Sequence, residues 1–131
     1  MRRVEVWGQY GVVCVAETAE DMWTRGWGLL GRRWLEERRG LWIRPCKSVH
    51  TFFMRFTIDV VYLTRDGTVC KTSTRLRPFR FSSGGREAHS VLELPAGTLD
   101  KLDVQVGDRL WMEVVEGAGN GVVYEVGSDE G

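Results

Sequence analysis

Pro45-Cys46-Lys47-Ser48-Val49-His50-Thr51-Phe52-Phe53-Met54-Arg55-Phe56-Thr57-Ile58-Asp59-Val60-Val61-Tyr62-Leu63 is the most hydrophobic stretch of the 131-residue chain. Its β-branched and aromatic side chains read as strands that build a core, one from His50 to Phe56 and one from Ile58 to Leu63. Strand alternation puts His50, Phe52, Met54 and Phe56 on one face and Phe53 and Arg55 on the other. A charge inside such a run points to solvent or finds a partner. Asp59 is the sharpest case, crowded by Ile58, Val60, Val61, Tyr62 and Leu63. Backbone donors or an arginine must compensate it. Arg55, close in sequence, and Arg77, across an expected strand pairing, are the arginines in reach.

Outward from that stretch the chain reads mostly as β. Arg65-Asp66-Gly67-Thr68 is a hairpin turn, because Asp-Gly tolerates positive φ, and Val69 to Thr74 returns. Arg75 to Phe81 holds Pro78 and reads as an edge or loop, and Ser82-Ser83-Gly84-Gly85 as a flexible loop. His89 to Leu94 is a further strand, closed by Pro95-Ala96-Gly97. Thr98 then caps a short helical turn through Leu102, and Arg109 to Val115 is extended. Upstream, Val4 to Trp7 and Val12 to Val15 form a hairpin around Gly8-Gln9-Tyr10-Gly11. Thr18 and Asp21 resemble a capping box. Trp23, Trp27 and Leu30 supply an apolar stripe for one principal helix between about Thr18 and Gly31. The expected fold is a single mainly β domain over residues 1–116, a sandwich or barrel with that helix packed on the sheet. A Gly-rich tail over 117–131 adds at most one strand.

The formal net charge is zero, so no global electrostatic argument favours nucleic acid or a membrane surface. The distribution is uneven: residues 1–86 carry sixteen Lys/Arg against eight Asp/Glu, and residues 87–131 carry two against ten. Interleaving of the two halves within one sheet would neutralise that difference. Cys14, Cys46 and Cys70 are an odd number without framework spacing, which fits a reducing cytosol better than a secreted disulfide scaffold. No window reaches the roughly 18 apolar residues of a membrane span. The expected location is cytoplasmic.

Three motifs in order carry a family resemblance. Arg25-Gly26-Trp27-Gly28-Leu29-Leu30-Gly31-Arg32 is similar to an Arg-x-x-Gly-Leu-Met signature, with Leu30 where Met is usual. Gly40-Leu41-Trp42-Ile43 and the His50 to Asp59 segment look like a central Met-Arg-Phe-Pro-Ile-Asp block, with Thr57 in place of Pro. Leu92-Glu93-Leu94-Pro95-Ala96-Gly97 and Val106-Gly107-Asp108 close the match. Over residues 15–115 the chain resembles domain of unknown function 192, an uncharacterised family of bacteria and archaea. The resemblance implies a compact jelly-roll-like or barrel-like β domain and no established activity.

Chemistry is sparse. Cys46 and His50 form a C-x3-H pair, but no further ligands stand at zinc spacing, so neither a metal nor a cofactor is expected. Glu93, between Leu92 and Leu94, would be a buried ion pair if it faced Arg55 or Arg77. Arg75, Arg77, Arg80 and Arg86 interleave with Phe79 and Phe81, a composition able to hold phosphate, a carboxylate or a nucleic-acid strand by charge and stacking. The reading is a binding module for a small polar or anionic molecule or a protein partner, with nucleic acid not the expected one. Its candidate ligand residues are His50, Arg55, Asp59, Arg77 and Glu93, in one cleft. A small enzyme using His50 with a carboxylate, and an accessory subunit of a surface or secretion assembly, are the alternatives. An enzyme should show a deep pocket with perturbed titratable groups, and an accessory subunit an exposed apolar patch.

Overall fold

A computed structural model of the protein describes residues 3–19, 39–52, 54–115 and 122–124. The strands are β1 (Arg3–Gly8), β2 (Gly11–Ala19), β3 (Arg39–Ile43), β4 (Ser48–His50), β5 (Ile58–Leu63), β6 (Val69–Leu76), β7 (Phe81–Ser83), β8 (Ser90–Pro95), β9 (Trp111–Val114) and β10 (Val122–Tyr124). One short helix, α1 (Thr98–Leu102), follows β8. The fold is mainly β, as the sequence implies. Its principal sheet is a mixed one of eight strands in the order β10-β9-β1-β2-β3-β8-β5-β6, with β4 and β7 forming a second, two-stranded sheet.

Within the large sheet β2 and β3 pair in parallel, and the other neighbouring strands pair antiparallel. The order ends at β10 and β6, so this sheet is open and does not close into a barrel. It nevertheless curls. The Asp66-Gly67 turn meets the segment entering β9 through a Thr68–Arg109 bridge. Val69 N–H donates to the Asp108 carbonyl at 2.8 Å and Leu110 N–H to that of Gly67 at 2.9 Å.

The three central strands explain the hydrophobic runs. β5 is buried at all six positions, and β8 at five of six. Strands covered on both faces lose the apolar–polar alternation of a half-exposed strand. Val61, Leu63, Trp42, Leu92 and Leu94 face one core, with Val4, Val6 and Leu99. Val60, Tyr62, Leu41, Ile43 and Val91 face the other, with Val49, Met54 and Ala88.

Several local expectations change. Thr18, expected to cap a helix, lies in β2, and the rest of the Thr18–Gly31 helix falls on residues 20–31, outside the described residues. The strand expected from His50 to Phe56 stops at His50. Ser82 and Ser83, expected in a flexible loop, are strand β7, and β4 is their partner. The residue preceding α1 is Gly97, in the left-handed conformation at φ 93°. The Thr98 hydroxyl donates back to the Pro95 carbonyl instead of capping.

Candidate functional site

The two-stranded sheet has an inner and an outer side, and strand alternation decides which side chain goes where. Val49 and Ser82 are opposite one another and both buried. Ser82 Oγ accepts from the Tyr62 hydroxyl at 2.8 Å and lies 2.9 Å from Ser73 Oγ, a polar joint between the two sheets. His50 and Phe81, the next opposed pair, therefore share the outer side, and both are exposed.

From His50 the aromatic surface continues along the chain. The His50 and Phe52 rings lie 5.2 Å apart, centroid to centroid, and the Phe52 and Phe79 rings 6.4 Å. Relative exposures of 42% for Phe52, 60% for Phe79 and 68% for Phe81 place these rings in solvent. Fully burying such a ring is worth about 1.5–3 kcal/mol, a gain this chain forgoes in part at three positions. Arg55, Arg77 and Arg80 are exposed beside them in sequence.

Thr51, fully buried, fixes this surface. Its N–H donates to the Arg80 carbonyl at 2.8 Å, and its carbonyl accepts from Phe79 N–H at 2.9 Å. Its hydroxyl donates to the Arg77 carbonyl at 2.6 Å and accepts from Arg80 N–H at 2.9 Å. These bonds hold the 77–80 turn against the end of β4. Within it Phe79 adopts φ 63°, a left-handed conformation costing a non-glycine residue about 1–2 kcal/mol. The preference for strand at His50–Phe56 is overridden here, because the Thr51 backbone is committed to that turn.

The five residues singled out in the sequence separate into two kinds. His50 is exposed at this surface and Arg55 and Arg77 are exposed beside it in sequence, whereas Asp59 and Glu93 are buried, at 1% and 5% exposure. Asp59 Oδ1 accepts from Arg75 N–H at 2.9 Å, and Oδ2 from Gly97 N–H and Leu99 N–H, each at 3.0 Å. Its compensation is thus three backbone donors rather than a guanidinium. One carboxylate ties the start of β5 to the end of β6 and supplies the cap that α1 lacks locally. The Arg75 side chain instead reaches Asp100 at 3.7 Å, an exposed pair of small energetic weight.

Glu93 stands opposite Leu41 and Val60 in the large sheet. Among the described residues it has no ion pair, so the expected pairing with Arg55 or Arg77 is not made. Burial pushes its carboxyl up to about 7. Cys46 donates its thiol hydrogen to the Ser48 carbonyl at 3.0 Å and packs beside the second core. His89, whose carbonyl accepts from Cys46 N–H, is held below the usual imidazole range by burial and then by Arg65, Arg44 and Lys47. A shallow depression lies elsewhere, between the β1–β2 turn and the segment after α1, lined by Tyr10, Val12, Leu102, Val104 and Leu110 among others.

The aromatic row was only half legible. Phe79 and Phe81 among arginines give a signal in the sequence; Phe52 does not, because an exposed phenylalanine in an apolar run reads as core.

Comparison with known proteins places this fold among uncharacterised ones. A UPF0127 protein of Pyrococcus furiosus is 42% identical over 69 residues, covering 52% of this chain and 59% of the relative. One of Thermococcus sibiricus is 38% identical over 69 residues, covering 53% and 44%. The chain thus spans about half the length of the curated relatives it matches. A crystal structure from Sinorhizobium meliloti, of a protein named as a candidate transcription regulator, superposes with a TM-score of 0.73 at 26% identity, covering 91% of this chain and 95% of that one. A protein of unknown function from Novosphingobium aromaticivorans gives a TM-score of 0.72 at 21% identity, with 82% of each chain covered. The profile of domain of unknown function 192, described as "Uncharacterized ACR", matches residues 4–112, and the chain belongs to that family.

Proposed function

We propose that this protein is a binding module that takes an anionic partner on the surface formed by His50, Phe52, Phe79 and Phe81 with Arg55, Arg77 and Arg80. The observation that carries this reading is the row of solvent-exposed rings held by the buried Thr51. Exposed aromatic side chains forgo a stabilising burial and a non-glycine residue at positive φ carries strain, and such features persist where a surface has a use. Arginines supply the charge, and a planar guanidinium matches carboxylate or phosphate oxygens in bidentate geometry.

The alternative of an enzyme using His50 with a carboxylate has less support. Asp59 spends its oxygens on three backbone donors, and Glu93 is buried whereas His50 is exposed. A structural neighbour named as a candidate transcription regulator is compatible with a role exercised through binding. The three free thiols support a reducing compartment such as the cytoplasm. No helix among the described residues is long and apolar enough to cross a membrane.

A titration of the isotope-labelled protein with inorganic polyphosphate at low salt, followed by amide chemical shifts, tests the reading. Shifts should concentrate in residues 48–57 and 77–83 and shrink in an Arg77→Gln, Arg80→Gln double variant. No shifts, or shifts centred on the depression near Tyr10, would refute it.

A further inference from the structure

We infer that the anionic partner is single-stranded nucleic acid, with its bases on the Phe81–His50–Phe52–Phe79 row and its phosphates on the flanking arginines. This rests on the binding surface proposed above and specifies what occupies it. The zero charge of the whole chain conceals a local excess of basic residues. Residues 44–57 hold three Lys/Arg and residues 67–86 five, and neither segment contains an Asp or Glu. These are the segments that build the two-stranded sheet and its connections. Two of the lysines are tied to that unit: Lys47 Nζ donates to the Arg86 carbonyl and Lys71 Nζ to that of Ser83. A patch with such a basic excess is the electrostatic footprint of a polyanion.

Charge alone would serve an acidic peptide equally well; the rings decide between them. Three aromatic rings in succession, with Phe81 across the strand pair from His50, offer surfaces on which flat bases stack whatever their sequence. An acidic peptide gains little from that geometry. Exposures of 42–68% also mean that the phenylalanines line no enclosed pocket, whereas a small-molecule site buries most of its ligand. An open row suits an extended strand. Duplex bases are already stacked on one another and present only their edges in the grooves, so the row selects unpaired strands. The charged residues at the row are arginines, which contact phosphate and also stack on bases.

Fluorescence anisotropy with a labelled oligothymidylate of about twelve nucleotides, its duplex form, and labelled poly-glutamate tests this. The single strand should bind best, with a log–log salt slope near −2 if Arg55, Arg77 and Arg80 each meet one phosphate. Phe52→Leu and Phe81→Leu, which keep apolar bulk but remove the ring, should each weaken binding about 5- to 150-fold. Arg77→Gln should flatten the salt slope by about 0.7. Thermal melts of the variants confirm folding, and these side chains are exposed. If poly-glutamate binds as tightly as the oligonucleotide and the leucine variants bind both unchanged, the nucleic-acid inference is wrong while the anion-binding surface stands. Equal affinity for duplex and single strand also overturns it. If neither polymer binds, the nucleic-acid inference is wrong, and the polyphosphate titration decides whether the anion-binding surface stands.

Discussion

Replacing Glu93 by Gln should stabilise this protein at alkaline pH and leave it almost unchanged in acid. Glu93 is 5% exposed, and burial moves its carboxyl from 4.5 to about 7. The unfolded chain releases this proton near 4.5, and the folded chain keeps it to about 7. Between those values the native state binds more protons, so stability falls as pH rises. The favourable state, a neutral buried acid, is fully present below about pH 4.5 and lost by about pH 7. At 1.36 kcal/mol per pKa unit the accumulated loss is about 3 kcal/mol. Glutamine is uncharged at every pH and avoids it. Denaturant melts of both proteins at about pH 4 and pH 8 isolate the effect, because carboxylates common to both cancel in the difference. The Gln variant should be more stable by about 3 kcal/mol at pH 8, roughly 10 °C in Tm for a domain of this size. A difference that does not change with pH, or a variant less stable at pH 8, would refute the reasoning. It would mean that Glu93 is ionised and held by a cation.

Asp59→Asn should cost about 1–3 kcal/mol, since the amide keeps an acceptor but turns donors toward N–H groups. Asp59→Ala should cost about 3 kcal/mol or more by leaving the N–H groups of Arg75, Gly97 and Leu99 unpaired. Chemical denaturation reads both, and variants at least as stable as the parent would show that Asp59 has no structural role. Gly84→Ala should also destabilise, by about 1–3 kcal/mol in the same assay. Its new methyl would overlap the Tyr62 ring and stand 2.8 Å from the Ala88 Cβ; an unchanged midpoint would show that this corner can give way.

What the sequence reveals of this protein follows the physics of each signal. Ile58–Leu63 and Leu92–Leu94 are legible because strands covered on both faces must be apolar throughout, and that requirement is written in side chains. Asp59 is legible as a buried charge needing compensation, but its partners are not, since backbone N–H groups belong to every residue alike. Only the fold brings positions 75, 97 and 99 around one carboxylate, so the sequence allows backbone donors without saying which, and names only arginines. The open sheet was hidden for a similar reason: strand counting does not reveal which strands are neighbours, and β2 and β3 pair in parallel across an intervening segment of the chain. At Phe52 the ambiguity is deeper. Hydrophobicity measures the tendency to leave water, and a surface that binds bases or another molecule uses the same tendency as a core. Thr51 separates the two cases: its backbone and hydroxyl are engaged by Arg77, Phe79 and Arg80, so β4 ends at His50 and the ring that follows is left in solvent.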